Sequence, residues 1–336
     1  MKRRQKKSKT YPKYKKTNGE YMKLLLCDKQ TMEDADFSLK VFEKYGECQY
    51  TYTLTEEELI KEIGDKDAVF CNRTAVSRKA IMAAPNLKYI GLFATGYNGI
   101  DLAACRERGI TVCNVPSYST EAVVQQAVCF MLMLAGNTHK YSDYVKAGKW
   151  SFTGEYPYYP YPLTGLYGKT AGIIGMGNMG TRFAQIATAL GMKVIYYSRT
   201  KKDLPYEFVS KEQLFSQSDF ISLHCPLNDG TAKIVNAKTL SLMKPTAYII
   251  NTARGGLISE PDLIAALKGG KIAGAGLDVV ENEPLKPGNP LMDAPNVIFT
   301  PHSAWGNYDT KKLLYKLTME NFDRYLAGAP INVVEE

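Results

Sequence analysis

The sequence predicts an α/β protein with two doubly wound parallel sheets, and three observations lead to this fold class. Short apolar runs alternate with segments of helical pattern, the order expected of parallel strands joined by helices. The chain has 336 residues, enough for two domains. One glycine-rich turn, in AGIIGMGNMG at 171–180, separates a strand-like run from an amphipathic segment.

The positive charge of the chain is concentrated at its start. Residues 1–20 contain nine Lys or Arg and one Glu, whereas the remainder has 33 basic and 33 acidic residues and is neutral. Such a basic, polar segment is typical of disorder, so residues 1–21 are predicted to be a disordered tail. A solvated extension, or an upstream start codon ahead of Met22, is favoured over nucleic-acid contact or targeting.

Composition also limits the cellular setting. Seven cysteines are scattered without a CxxC pair, which is typical of reduced core residues in a cytosolic protein. The chain contains neither an apolar stretch long enough to span a bilayer nor an apolar segment behind the basic start, so a secretory signal is not expected. We expect a cytoplasmic protein without a membrane partner, and we predict no metal site.

The first predicted domain comprises residues 22–118. A capping box at Thr55 and Glu58 marks the start of one helix, and Glu33 to Lys44 has a helical pattern. Its strands are predicted in four runs: MKLLLC (22–27), DAVFC (67–71), LKYIGLF (87–93) and TVCNV (111–115).

The second predicted domain comprises residues 119–306. It opens with a long apolar helix at 119–148, which either crosses between domains, packs against a partner subunit or is an ordinary core helix. A tyrosine-rich loop with three prolines follows at 155–168 and argues against regular structure. Its strands are predicted in MKVIYYS (192–198), FISLHC (220–225), AYIINT (247–252), GAGLDV (274–279) and VIFT (297–300), besides the run before the glycines. A last helix from Asn307 to Leu326 is expected to return to the first domain, which would then also include residues 307–336.

The glycine turn carries the first functional prediction. Gly175 permits a tight turn, Gly177 lets backbone N–H groups approach a pyrophosphate, and Gly180 allows close packing of helix and strand. The helix that starts near Asn178 and Met179 then directs its N-terminus at the anion. This order is typical of a Rossmann-like dinucleotide-binding domain.

The end of the next strand bears on coenzyme choice. A dinucleotide domain ordinarily has an acidic residue there, about 20 residues beyond the glycines, to bind the adenosine ribose. This chain has Ser198, Arg199 and Thr200 followed by two lysines. A guanidinium beside a hydroxyl would accommodate a 2′-phosphate, so NADP(H) is predicted in preference to NAD(H). The alternative interpretation is that Arg199 and the two lysines merely form a solvent-exposed turn.

Three ionisable residues follow the ends of successive predicted strands, where open α/β sheets bind ligands. Arg254 can hold a substrate carboxylate and polarise its carbonyl group. His302 can deliver a proton to the carbonyl oxygen. Glu283 beside it would favour the imidazolium and fix its tautomer. Taken singly, each residue can be explained without a function, as a helix-flanking charge, a loop residue or a turn residue. Together they predict a site that reduces a 2-oxo acid.

Several segments resemble the D-isomer-specific 2-hydroxyacid dehydrogenases in sequence and in order. They cover nearly all of residues 22–330, and ATGYN, NVPSYST and PHSAW look most like the glycerate dehydrogenases. The resemblance implies reduction of hydroxypyruvate or glyoxylate to the D-2-hydroxy acid, a discontinuous substrate domain, a cleft that closes on substrate, and a homodimer joined through the coenzyme domains. The segments include GKTAGIIGMGNMG, LHCPLNDGTAKIVN, NTARGGLISEPDLIAALKGGKIAGAGLDVVENEP and TPHSAW.

The resemblance also implies roles for single residues. Arg254 is assigned to substrate binding, His302 to acid/base chemistry and Glu283 to its partner, while Thr95 and Gly96 match the loop whose N–H groups bind the substrate carboxylate. The coenzyme-binding residues implied are Cys225, Pro226, Thr231, Thr252, Ala253 and, for the nicotinamide carboxamide, Asp278. Ser198 departs from the usual Asp of the family, and Gln125 and Gln126 replace a common Glu-His pair.

Two other functions remain open from the sequence. A coenzyme-dependent, corepressor-like binding protein uses the same fold, and the basic tail would suit a nuclear role, although all three catalytic residues are retained. Formate or phosphite dehydrogenases also share the scaffold. The Arg, Glu and His set favours a 2-oxo acid over formate but leaves phosphite open.

Overall fold

The computed structural model describes residues 19–150 and 159–334, which form two compact units. One unit comprises the described residues up to Tyr118 together with those from Tyr308 onwards, and the other comprises Ser119–Asn307. Each unit has a fully parallel sheet with helices, so the predicted α/β fold class is confirmed. The prediction for residues 1–21 lies mostly outside the described residues.

The first unit has a five-stranded sheet with helices. The strands are β1 (Met22–Leu26), β2 (Gly46–Tyr50), β3 (Ala68–Cys71), β4 (Tyr89–Leu92) and β5 (Thr111–Cys113), and the helices are α1 (Lys29–Met32), α2 (Glu56–Ile63), α3 (Arg78–Met82), α4 (Leu102–Glu107) and α11 (Tyr308–Leu326). The strand order is β2-β1-β3-β4-β5. The last helix, α11, packs on the aromatic side chains of this sheet: Phe322 contacts Phe70 and Tyr89 with ring centroids 5.1 and 4.8 Å apart.

The second unit has a seven-stranded sheet. The strands are β6 (Thr170–Ile174), β7 (Lys193–Tyr197), β8 (Glu207–Phe208), β9 (Phe220–Leu223), β10 (Tyr248–Asn251), β11 (Gly274–Leu277) and β12 (Val297–Phe299). Their order is β12-β11-β10-β9-β6-β7-β8. The chain builds outward from β6 in one direction and then resumes at β9 on its other side, so the strand order reverses between β6 and β9. Ligands bind at such a switch point.

Helices cover both faces of this second sheet, and two apolar clusters fill the space beneath them. The helices are α5 (Thr120–Gly136), α6 (Thr138–Lys146), α7 (Asn178–Ala189), α8 (Lys211–Gln217), α9 (Ala237–Leu240) and α10 (Glu260–Lys268). On one face, Phe130 of α5 packs directly against Gly276 of β11. The α5 helix is thus a core helix of its own unit.

The predicted helix over Glu33 to Lys44 is wrong. The structure has the short α1 before it and a 3-10 helix, Leu39–Lys44, within it. Between them the Asp34 carboxylate accepts the N–H groups of Asp36 and Phe37, and the Glu33 carboxylate accepts the N–H of Leu39. These side chains satisfy backbone donors that a continuous helix would otherwise use, so the helix is interrupted.

Four other local features also bear on the sequence-based expectations. The capping box at Thr55 and Glu58 is confirmed. The long helix predicted at 119–148 is broken at Asn137, which has a φ of 46° and donates its amide to Pro162 O. In the tyrosine-rich segment, residues 159–168 contain neither helix nor strand, while residues 155–158 lie outside the described part. Strand β2 was missed because GECQY at the sheet edge has no apolar alternation.

Within residues 19–150 and 159–334, none of the helices combines the length and apolar character that a membrane crossing requires.

Candidate active site

The glycine turn follows β6 and is built by close backbone approach. Gly175 has a φ of 96°, and a Cβ there would lie 2.6 Å from the N atom of Cys225. A Cβ on Gly180 would overlap the carbonyl oxygen of Gly175. Only glycine fits at either position, and the result is that α7 begins directly against the strand edge.

The N-terminus of α7 can receive an anion. Its N-cap is Gly177, which has no side chain to bond the N–H groups of the first turn, and a Cβ built on Gly177 would meet nothing within 4 Å. Asn178 and Met179 are the first residues of the helix. The helix dipole favours a negative group in this open space, so the turn fits a pyrophosphate.

Two of the six buried side-chain polar atoms that lack hydrogen-bond partners among the described residues lie at the carboxyl ends of β9 and β10. They are Nδ1 of His224, just after β9, and Oγ1 of Thr252, just after β10. Such orphaned groups are rare because each costs free energy. Their place at the carboxyl edge of adjacent strands fits a site completed by a polar ligand, as a dinucleotide would be.

The remaining predicted coenzyme residues lie along the same edge. Burial raises the pKa of Cys225 to about 11, so this thiol stays neutral. Thr231 donates its hydroxyl to Pro226 O over 2.6 Å and closes the loop after β9. Ala253 lies in the turn that leads to Arg254, and its N–H is accepted by the side chain of Asn251.

The loop after β7 presents basic side chains in a fixed backbone. Ser198 donates its hydroxyl to Thr200 O over 2.6 Å. The hydroxyl of Tyr196 accepts the N–H of Lys202 over 2.8 Å and donates to its carbonyl. Arg199 is exposed. The loop at 198–202 therefore carries cations and no carboxylate at the end of β7.

His302 and Glu283 form a direct pair. The Nδ1 atom of His302 lies 2.6 Å from Oε2 of Glu283, and the two side chains are 32% and 24% exposed. A carboxylate at Nδ1 holds the ring proton on that nitrogen and fixes the ring orientation. The Nε2 atom has no hydrogen-bond partner among the described residues.

The loop that carries His302 is held by Asp278, a role that sequence reasoning missed. His302 has a φ of 53°, and its N–H is accepted by Asp278 O over 2.8 Å. The Asp278 carboxylate is 2% exposed and accepts the N–H groups of Ser303 and Ala304 and the hydroxyl of Thr300. A buried carboxylate with this many donors fixes the loop. The only available sequence signal was an acid at the end of an apolar run. The coenzyme role assigned to Asp278 stays a prediction.

Arg254 follows β10 in a turn that Asn251 holds. The buried Asn251 side chain donates to Arg254 O over 2.9 Å, and the Arg254 guanidinium donates through Nη1 to Ala253 O over 2.7 Å. Gly255 then packs against the backbone of Val280, in the loop that leads to Glu283. Arg254 and Glu283 are thus carried by loops in backbone contact.

Replacement of Gly255 by alanine is expected to disturb both loops. A Cβ there would overlap the Val280 carbonyl and lie 2.5 Å from the N atom of Glu281. Such overpacking costs about 1–3 kcal/mol of unfolding free energy, and kcat/KM should fall as well. Denaturant unfolding and steady-state kinetics measure the two effects. Gly64→Ala is the matched control because a Cβ there meets nothing within 4 Å. Equal behaviour of the two variants would contradict the backbone contact as the cause.

The other two histidines of the chain are poor proton donors. Burial lowers the pKa of His224 to about 4, so its ring is neutral near pH 7. Burial, and then the charge of Lys140, lower the pKa of His139 as well. Among the three histidines, His302 is the one that combines a carboxylate partner with an uncommitted nitrogen.

Thr95 and Gly96 lie in the first unit, just after β4. Neither backbone N–H has a hydrogen-bond acceptor within the described part of the chain, although the loop around them is well bonded. Both N–H groups are therefore available to an acceptor from outside the described residues.

Known proteins are similar to this chain over most of its length. The family model described as "D-isomer specific 2-hydroxyacid dehydrogenase, NAD binding domain" matches residues 128–304. A hydroxypyruvate reductase of Blautia hydrogenotrophica is 41% identical over 322 residues, which are 94% of this chain and 100% of that protein. A glycerate dehydrogenase of Methylorubrum extorquens is 37% identical over 315 residues, 93% and 99% of the two chains.

Solved structures give the same result. A protein of Thermus thermophilus superposes with a TM-score of 0.85 at 33% identity, covering 94% of this chain and 100% of that one. An acyclic imino acid reductase in complex with NADPH and D-Arg superposes with a TM-score of 0.81 at 32% identity and the same coverage. The chain belongs to the D-isomer-specific 2-hydroxyacid dehydrogenase family.

Proposed function

We propose that the protein reduces a short 2-oxo acid of the hydroxypyruvate or glyoxylate type to the D-2-hydroxy acid, with NADPH preferred over NADH. The observation that carries the proposal is the 2.6 Å contact between Nδ1 of His302 and Glu283, in the unit that also contains the glycine turn. Relatives named hydroxypyruvate reductase, glycerate dehydrogenase and glyoxylate reductase support this substrate class.

Arg254, His302 and Glu283 each have a different role in the proposed reaction. The unit with the glycine turn would hold a reduced nicotinamide coenzyme, which would supply the hydride for the carbonyl carbon. Arg254 binds the 2-oxo acid and polarises its carbonyl group through the guanidinium N–H groups that are not used on Ala253 O. His302 donates the proton on Nε2 to the carbonyl oxygen as negative charge develops there, and Glu283 stabilises the imidazolium that donates it. In the reverse direction, neutral His302 accepts that proton.

Thr95 and Gly96 are further proposed substrate-binding residues. Their two free N–H groups would bind one carboxylate, because adjacent backbone donors complement its two oxygens. Steady-state screening of hydroxypyruvate, glyoxylate, pyruvate and longer 2-oxo acids with both coenzymes tests the proposed function. Phosphite belongs in the same screen, and turnover of phosphite alone would refute the proposal.

The coenzyme preference is tested by Ser198→Asp. A carboxylate at the end of β7 would repel a 2′-phosphate and accept hydrogen bonds from a 2′-hydroxyl. We expect the ratio of kcat/KM for NADPH over NADH to fall by about 100-fold, the size of two lost or reversed charge contacts.

Ser198→Asn is the neutral control for that change and should leave most of the preference intact. An unchanged ratio in Ser198→Asp would show that this loop does not meet the phosphate. The solved imino acid reductase at 32% identity, which holds NADPH, supports a phosphate-bearing coenzyme.

We also propose a homodimer joined through the second unit. Helix α6 has no buried residue, and Leu132, Val145 and Trp150 are 46%, 46% and 73% exposed. These exposed apolar side chains lie on α5, on α6 and just after α6, and exposed apolar surface is typical of an interface. Leu132→Glu should therefore shift the protein from dimer to monomer in sedimentation velocity. Val41→Glu, in the first unit and also exposed, should leave the dimer intact. A wild-type monomer at micromolar concentration would contradict the proposal.

A further inference from the structure

One side chain fixes the peptide group between Thr95 and Gly96 through its carbonyl oxygen. The amide of Asn114 donates through Nδ2 to Thr95 O over 2.7 Å. In a trans peptide the C=O of one residue and the N–H of the next lie in one plane and point in opposite directions. A bond that fixes Thr95 O therefore also fixes the direction of the Gly96 N–H. It also polarises that N–H and makes it a stronger donor.

The N–H of Thr95 is fixed differently, by backbone alone. Its peptide partner, Ala94 O, accepts the N–H of Val115 over 2.9 Å. The Thr95 hydroxyl donates to Val115 O over 2.8 Å and ties the two segments together again. Of the two free N–H groups, only that of Gly96 depends on a side chain for its direction.

Asn114 is itself anchored by the C-terminal part of the chain. Its N–H is accepted by Asn332 O over 3.2 Å, and its carbonyl accepts the amide of Asn321 over 2.8 Å. Asn321 is 1% exposed and bonds the amide of Asn332. The backbone of Asn114 is therefore held at both its N–H and its carbonyl. Its side chain can fix the orientation of the Thr95–Gly96 peptide instead of moving with it.

A second asparagine provides an internal comparison. Asn72 donates its amide to Phe93 O, also over 2.7 Å. Its own N–H is accepted by Asp28, a fully buried carboxylate that also holds Arg73 and Thr74. The bond from Asn72 fixes the peptide that ends at Ala94, whose N–H is not one of the two proposed substrate donors.

We propose that Asn114 is a positioning residue for substrate binding: it aims the Gly96 N–H at the carboxylate of the 2-oxo acid. This inference rests on the proposed function, because it takes the substrate carboxylate to be bound by Thr95 and Gly96. Without the Asn114 amide, the Thr95–Gly96 peptide can rotate, and one of the two proposed substrate donors loses its fixed direction. The same amide-to-carbonyl bond at Asn72 has no such consequence.

The test is Asn114→Ala, with Asn72→Ala as the matched control and Thr55→Ala as a control for stability alone, since Thr55 caps α2. KM for hydroxypyruvate and Ki for oxamate should each rise about tenfold in Asn114→Ala, the size of one charge-assisted hydrogen bond. The KM for the coenzyme should stay within twofold, and kcat should change less than KM. Both control variants should keep the wild-type KM and Ki.

The outcomes separate the two proposals. If the wild-type protein reduces 2-oxo acids but Asn114→Ala keeps its KM and Ki, or Asn72→Ala shows an equal rise, the positioning role of Asn114 is overturned alone. If the wild-type protein reduces no 2-oxo acid, the proposed function fails and this inference fails with it. Asn114→Ser, whose hydroxyl is too short to reach Thr95 O, replaces the alanine variant if that variant does not fold.

Discussion

His302→Gln is expected to lower kcat by about 10²–10⁴-fold, the contribution of a positioned general acid. Glutamine keeps a polar side chain near Glu283 but has no group that donates and regains a proton near pH 7. The Kd for coenzyme should stay nearly unchanged, because the glycine turn and the loop after β7 do not include His302. Stopped-flow or steady-state turnover and coenzyme fluorescence titration measure the two quantities.

The backbone at His302 requires a second variant. Its φ of 53° lies in the left-handed region, which asparagine tolerates better than most residues. His302→Asn should therefore fold at least as well as His302→Gln and lose turnover to a similar extent. Glu283→Gln should show a smaller loss of kcat, because the His302 ring keeps its proton donor but loses the carboxylate that orients it. Wild-type turnover in either His302 variant would end the assignment of the proton donor.

Arg254→Lys is expected to lower kcat/KM for the 2-oxo acid by about 100-fold. Lysine keeps the charge but replaces a planar fork of N–H donors by a single ammonium, so a carboxylate and a carbonyl oxygen can no longer be bound together. The loss corresponds to one or two charge-assisted hydrogen bonds. Steady-state kinetics with saturating coenzyme measure it.

The matched control for that change is Arg182→Lys. Arg182 lies on α7, is exposed and binds Glu121, so the same substitution there should leave kcat/KM almost unaltered. Exposed ion pairs contribute at most about 1 kcal/mol to stability, and this variant should fold normally. Comparable losses in the two variants would show that Arg254 has no special contact with the substrate.

Local patterns were sufficient for most strands and for the helix starts. The buried runs before Gly175 and before Arg254 have the lengths and β-branched composition of parallel strands, and the capping box at Thr55 determines a helix start from four neighbouring residues. The pattern failed over Glu33 to Lys44, where side chains bond the backbone, and at Asn137, where a left-handed residue breaks a continuous apolar helix. These failures depend on single hydrogen bonds that residue periodicity does not report.

The candidate site shows the same division. Its residue types and their places after strand ends can be read from the chain, as can the glycines. The hydrogen bonds that hold these residues in place cannot be read from the chain. Asp278 bonds a loop 25 residues away, and Asn114 bonds a carbonyl 19 residues away. Neither spacing carries a sequence pattern, because the partners meet only after neighbouring parallel strands have aligned their ends.

By itself, then, the sequence determined an α/β chain with a dinucleotide turn and three ionisable residues after successive strands. The tertiary structure alone decided that Nδ1 of His302 contacts Glu283, leaving Nε2 uncommitted, and that Asp278 and Asn114 hold the loops beside the candidate groups. The physical reason is the distance along the chain over which each kind of interaction acts. Helix caps, turns and apolar periodicity act over a few residues, whereas the direction of a side chain in a site is set by buried hydrogen bonds between distant segments.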